Sequence, residues 1–214
     1  MIFQALIRQA LIRQALFRQA LGRSRPHSPA EGDFPMIRWL VALAFTVAAS
    51  FGAAAAPDAN TVYLDTKDGR ITIQLRPELA PKHAQQIKTL VRQGFYNGVP
   101  FHRVIDGFMA QTGDPTGTGT GKSKLPDLPA EFTPTPFKRG TVGMARSQDP
   151  NSANSQFFIC FDEAPFLNNQ YTVVGTVTAG MDVVDKIKKG AKSANGQVQN
   201  PDKIVRMTLA QDGQ

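Results

Sequence analysis

Cysteine occurs once in the 214 residues, so neither an intrachain disulfide framework nor a cysteine-rich metal centre can form. Cys160 lies inside the apolar run Phe157-Phe158-Ile159-Cys160-Phe161, where a buried structural thiol is expected rather than a nucleophile. Histidine is nearly as scarce, with three copies, and only His83 and His102 lie beyond residue 56. That excludes a multi-histidine metal site. No Ser-His-Asp order and no Cys-His pair stands out. A phosphate loop fails as well. Gly117-Thr118-Gly119-Thr120-Gly121-Lys122-Ser123 superficially suggests one, but Thr116 stands where the pattern needs its first glycine, and Pro126 follows where a helix should begin. This stretch reads as a flexible surface loop. Acidic residues are the minority, 17 against 24 basic, for a net charge of +7. Residues 1–55 hold six of the basic side chains and two of the acidic ones, which leaves the rest at +3. So mild an excess is poor support for nucleic-acid binding, and no nucleic-acid partner is expected.

What is present divides into three stretches. The first 22 residues repeat with period five, as in Gln4-Ala5-Leu6-Ile7-Arg8 and Gln9-Ala10-Leu11-Ile12-Arg13. Five does not match a helical turn, so the arginines spiral around any helix instead of lining one face. The period is also too short for a solenoid unit. Residues 1–35 are expected to be sequence upstream of the true start, or a disordered extension; the lack of acids before Glu31 also admits a transit peptide. From Met36 the pattern is a secretory signal peptide over 36–55: Arg38, the apolar stretch Trp39–Phe51, then Gly52 and the small residues Ala53–Ala56. Cleavage near Ala55 fits the small-x-small rule. The alternative is an uncleaved anchor, since Trp39–Ala56 approaches spanning length, but alanine supplies eight of those positions. A lipoprotein is excluded because no cysteine lies near the cleavage site. The expected location is therefore periplasmic, with no membrane contact after cleavage.

Residues 56–214 read as one domain. With apolar residues at 42% and charged ones at 19% of the whole chain, a core can be buried. Thr61–Thr66 and Arg70–Leu75 alternate apolar and polar across the turn Lys67-Asp68-Gly69, which is a hairpin. Pro81 opens an amphipathic helix with Ala84, Ile87, Leu90 and Val91 on one face, ending near Gly94. Short apolar runs follow at Val104–Gln111, Thr141–Ala145, Gln156–Phe161 and Thr172–Val177. A second helix fits Met181–Lys189, closed by Gly190, and Lys203–Ala210 reads as a last strand. The fold class is mainly β: many short strands in a closed or nearly closed barrel capped by two α-helices.

One segment mixes chemistries unusually. Phe101-His102-Arg103-Val104-Ile105-Asp106-Gly107-Phe108-Met109-Ala110-Gln111-Thr112-Gly113-Asp114 places Arg and Gln among Phe and Met, so one sheet face is partly apolar and partly hydrogen-bonding. Met144-Ala145-Arg146 and Ser155-Gln156-Phe157-Phe158-Ile159 repeat the mixture, and Phe166-Leu167 and Tyr171 complete it. In these blocks, together with Gly140–Ala145, Pro150–Cys160 and Val173–Asp185, the chain resembles the cyclophilin family across residues 60–210. The resemblance implies an eight-stranded antiparallel barrel with two capping helices, and isomerisation of X–Pro bonds in peptides and unfolded proteins without metal or cofactor. It departs from the eukaryotic pattern at Phe166, where tryptophan is usual, at Tyr171, where histidine is usual, and in the loop Ser147-Gln148-Asp149, which is one residue longer.

The resemblance also implies roles. Arg103 would be catalytic, donating to the prolyl nitrogen, and Gln111 would orient it or hold a substrate carbonyl. Phe108, Met109, Phe158 and Leu167 would form the proline pocket, although pattern alone favours barrel core for them. Backbone around Ala145 would hold the segment preceding proline. Gln156 would bond substrate backbone or merely satisfy its own strand. Phe166 and Tyr171 would form the rim, and His102 belongs to the motif either as a substrate contact or as a structural imidazole. Proline-containing peptides are the expected partners of a monomer, and weak binding of cyclosporin follows from Phe166. The rival reading is a proline-peptide-binding chaperone module with incidental isomerase activity, which would not need a donor at the prolyl nitrogen. Export predicts a mature N-terminus near residue 56 when the protein is purified from its native cell and weighed intact by mass spectrometry. An N-terminus upstream of Met36 would contradict it.

Overall fold

The computed structural model describes residues 58–212; the repeat, the leader and the cleavage site lie outside them. Eight strands form one antiparallel sheet: β1 Thr61–Thr66, β2 Gly69–Leu75, β3 Arg103–Ile105, β4 Met109–Thr112, β5 Thr141–Met144, β6 Phe157–Cys160, β7 Val173–Ala179 and β8 Arg206–Leu209. Their spatial order is β3-β4-β6-β5-β7-β2-β1-β8. Two helices accompany them, α1 at Pro81–Arg92 and α2 at Met181–Lys186. Eight antiparallel strands with two helices match the expected class. The ladder itself runs open from β3 to β8, and the flanking segments are joined by the bridge Pro100–Lys203 and by the N–H groups of Gly98, Ile204 and Phe101 donating to the carbonyls of Ile204 (2.7 Å), Val99 (2.9 Å) and Asp202 (2.9 Å).

Local pattern explains the first elements. Val62 and Leu64 of β1 and Ile71, Ile73 and Leu75 of β2 are buried, while their neighbours face outward. A strand's period of two does this once one face meets a core. In α1, Ala84, Ile87, Leu90 and Val91 are buried in the same core. Each of the larger three contributes about 1.5–3 kcal/mol. Pro81 suits the first helical position, where no intrahelical N–H is needed. The preceding Ala80 has no side chain to cap the helix. The cap comes from far along the chain: the Glu131 carboxylate accepts from the backbone N–H groups of Lys82 and His83, each at 3.2 Å. A carboxylate there also suits the positive end of the helix dipole.

Several expected boundaries move. Val104–Gln111 is not one strand but the hairpin β3–β4, turning at Asp106-Gly107, where Gly107 has φ +73°. Asp-Gly is a strong hairpin signal because glycine takes positive φ freely. The second helix stops at Lys186 because Ile187 is extended (ψ 130°). The last strand is shortened to Arg206–Leu209. The glycine-threonine stretch is not a free loop. The fully buried Asp114 carboxylate accepts from the N–H groups of Thr116 (2.7 Å), Gly119 (2.6 Å) and Gly121 (3.1 Å). Burial alone would raise that carboxyl's pKa, but these bonds outweigh it and hold the group below the usual carboxylate range.

His83 and His102 are both buried. Burial lowers the pKa of each imidazole, most directly by removing the cation from water. For His83 the neighbouring Glu131, 2.7 Å from Nδ1, offsets only part of this. The folded chain therefore holds both rings neutral, whereas the unfolded chain protonates them near pH 6.5. Protons bind the unfolded state more tightly, so stability is fully present above about pH 6.5 and declines below it, toward the depressed folded values. The urea midpoint of the domain should be lower at pH 5.5 than at pH 7.5, in a range where carboxylates remain ionised; equal midpoints would contradict neutral burial.

Candidate active site

One row of residues runs across four neighbouring strands. Arg103 of β3 pairs with Gln111 of β4, Gln111 with Phe158 of β6, and Phe158 with Gly143 of β5. Residues directly opposite one another in register share a face. The next row continues the same face with Ile105, Met109 and Cys160. The opposite face of these strands, with Val104, Ala110, Phe157, Ile159, Val142 and Met144, enters the main core. The same strands therefore serve two apolar clusters. The second and smaller one contains Met109, Phe137, Phe158, Cys160, Leu167 and Val173, with Phe108, Ala145 and Tyr171 packed against it.

Gly143 has a steric purpose in that row. A Cβ at this position would come within 2.5 Å of the Phe158 ring and 2.6 Å of the Phe137 ring. Without one, Phe158 has room to stack on Phe137 at 5.8 Å between centroids and to meet Tyr171 edge-on at 5.9 Å. Cys160 sits beneath, and burial pushes its thiol up to about 12. It is a packing group, not a nucleophile.

A cavity of about 380 Å³ opens above this cluster. Its wall takes in nine of the eleven residues expected from the sequence: Arg103, Gln111, Phe108, Met109, Ala145, Phe158, Phe166, Leu167 and Tyr171. Met109, Phe158 and Leu167 are buried at its base. Phe166 stands on the 3-10 turn Pro165–Leu167, 62% exposed, with its ring 5.3 Å from that of Phe108. Gln156 lines an adjoining cavity of about 430 Å³. His102 is 5% exposed, beneath the Gly119 loop and away from the first cavity.

The polar side is a relay. Arg103 donates from Nε to the Asn195 carbonyl (3.1 Å), from Nη2 to Asn195 Oδ1 (3.0 Å) and from Nη1 to Gln111 Oε1 (3.2 Å). Gln111 donates from Nε2 to Gln156 Oε1 at 2.9 Å. Gln156 donates in turn to the carbonyls of Gly119 (3.0 Å) and Gly121 (2.8 Å), on the loop that Asp114 pins. Gln111 thus bonds both Arg103 and Gln156, and Gln156 bonds the loop. Burial disfavours the Arg103 cation and lowers its pKa, yet a guanidinium stays charged. The arrangement is a cavity with an apolar base of Met109, Phe158 and Leu167, edged by a fixed cation whose partners are all neutral.

Sequence reasoning missed Asn195, Arg146, Gln170 and the packing use of Gly143. Asn195 holds φ +52° ahead of Gly196, and Asn-Gly does signal a left-handed turn. Nothing in the chain indicates that this turn meets an arginine 92 residues earlier.

Fold and pocket together define an antiparallel β domain with a cavity whose base is apolar and whose edge carries an arginine. A family model described as "Cyclophilin type peptidyl-prolyl cis-trans isomerase/CLD" matches residues 61–209. The chain belongs to the cyclophilin-type peptidyl-prolyl cis-trans isomerases, and its activity is theirs. It is 61% identical over 191 residues to a "Probable peptidyl-prolyl cis-trans isomerase" of Brucella suis biovar 1 (strain 1330), covering 82% of this chain and 97% of that one. It is 42% identical over 137 residues to a "Peptidyl-prolyl cis-trans isomerase" of Helicobacter pylori (strain ATCC 700392 / 26695), covering 62% and 83%. Among solved structures it resembles cyclophilin AquaCyp293 from Hirschia baltica, with a TM-score of 0.64, 30% identity, and coverage of 72% and 75%. It also resembles a Cryptosporidium parvum cyclophilin crystallised in the presence of the dipeptide Ala-Pro, with a TM-score of 0.64, 29% identity, and coverage of 70% and 98%.

Proposed function

We propose that this chain accelerates X–Pro rotation in peptides and unfolded proteins in the periplasm, and that Arg103 is the catalytic group. The observation that carries this reading is the clamp on Arg103, which holds a cation at the edge of an apolar pocket with neutral acceptors only. The amide barrier is about 18–20 kcal/mol because the nitrogen lone pair is delocalised, and unaided exchange takes about 10–100 s. Twisting the bond returns the lone pair to the prolyl nitrogen. A donor aimed there binds the twisted state more tightly than either planar one, which is the condition for lowering the barrier. The pocket formed by Met109, Phe158 and Leu167 would hold the ring while the acyl side turns, and the fixed guanidinium would need little reorganisation during the turn. No covalent intermediate is needed.

The chaperone alternative explains the pocket but not the clamp. Binding a proline ring calls for apolar area, whereas Asn195, Gln111 and Gln156 are all used to fix one arginine. Arg103→Ala should therefore lose most turnover of a short X–Pro peptide, mainly in kcat, while the melting curve stays close to that of the parent. Unchanged turnover with a normal melting curve would overturn the role given to Arg103.

Cyclosporin should bind weakly, because Phe166 on the exposed rim lacks the indole N–H and the extra area of tryptophan. Phe166→Trp adds one hydrogen bond and a few tens of Å² of contact, a gain of roughly 1–3 kcal/mol or about ten- to a hundredfold. Calorimetric titration of both proteins measures it. Equal affinities would remove Phe166 from the ligand-binding rim.

A further inference from the structure

We infer that Arg146 is a specificity-determining residue, and that it makes the groove favour proline substrates carrying an acidic side chain close to the proline. This rests on the isomerase reading and adds a substrate class to it. Arg146 follows β5 and lines both the first cavity and the adjoining one, the two being joined along Gln111, Ala145 and Arg146. With the proline ring in the first, the side chain of a neighbouring residue falls within reach of the second, since the extended chain advances about 3.3–3.6 Å per residue.

The guanidinium of Arg146 is fixed but not neutralised. Nη1 donates to the carbonyls of Ser147 (2.8 Å) and Gln148 (3.2 Å), while Nε (3.3 Å) and Nη2 (3.0 Å) both donate to that of Gln170. Its flat face lies over the Tyr171 ring, 4.6 Å from the centroid. Every acceptor is a neutral carbonyl, so the full positive charge remains, and Nη2 carries a second hydrogen for a ligand. The other charges around the adjoining cavity cancel. Lys122 donates to both oxygens of Asp127, at 2.9 and 2.7 Å, and Asp127 also accepts from Asn154 Nδ2 at 2.9 Å. The first cavity adds Arg103, again with neutral partners, and no carboxylate. The paired cavities thus carry two uncompensated cations and one acid that is already matched. Charge complementarity of that kind attracts an acidic chain and repels a basic one.

The test uses peptide pairs that differ only in Glu against Gln, placed two residues before the proline in one pair and two residues after it in the other. Isomerisation kcat/KM is measured for the wild type, Arg146→Gln and Arg146→Lys. Wild type should prefer Glu in one of the pairs by roughly two- to fivefold, the scale of a partly exposed ion pair. That preference should shrink in high salt. Arg146→Lys should keep it and Arg146→Gln should lose it. A purely structural arginine would change all peptides alike and leave the ratio untouched. Equal rates for Glu and Gln in both pairs, or a preference that survives Arg146→Gln, would overturn the inference and leave the isomerase reading standing. Failure of wild type to turn over any of the peptides would overturn both.

Discussion

The pairing of Arg103 with Gln111 across the β3–β4 hairpin is the constraint on which the groove depends. Strand side chains alternate faces with a period of two, so a slip of one residue would send Arg103 and Gln111 into the core and bring Val104 and Ala110 out. The turn at Asp106-Gly107 prevents that slip, since Gly107 takes the positive φ the connection requires. From this register the row extends to Phe158 and Gly143 without further adjustment. Each strand in the row then faces two apolar clusters, one on either side. Burial on both faces makes the register expensive to change, and that rigidity is inherited by the pocket.

The polar side of the groove is organised by a different kind of interaction. Asp114 is buried, and its carboxylate gathers the backbone N–H groups of the following loop. Two carbonyls of that loop accept from Gln156, which accepts from Gln111, which accepts from Arg103. Each of the two glutamines uses its donor toward one neighbour and its acceptor toward the other, so the amide orientations are mutually set. Asn195 closes the arrangement from the far side of Arg103. A stretch of small residues that looks unstructured is thereby part of what holds the cation in place.

The two histidines of the domain are buried and neutral, and the thiol is buried and protonated. Titration therefore touches stability more than the site. Some surface cations of the described residues meet acids, as Arg70 meets Asp65 and Arg139 meets Asp185. Arg103 and Arg146, which line the groove, meet only neutral acceptors. A cation held without a counter-ion keeps its field for whatever enters the groove.

The sequence by itself determined the strands and helices with clear local periodicity, such as β1, β2 and α1, because alternation and the 3.6-residue repeat need no knowledge of distant residues. The mixed Phe101–Asp114 and Gln156–Ile159 blocks drew attention to Arg103, Phe108, Met109, Gln111 and Phe158, but pattern alone favours core for the apolar ones, and it was the family resemblance that implied a pocket wall. Sequence reasoning misread Val104–Gln111 as one strand, since apolar residues flank an Asp-Gly turn that was there to be read. Tertiary structure decided the rest. Glu131 caps α1 from 49 residues away, Asn195 holds Arg103 from 92 residues away, and Gly143 makes room for two aromatic rings from other parts of the chain. Partners at such separations leave no periodic trace, because their contact is a product of sheet order and not of local chain geometry.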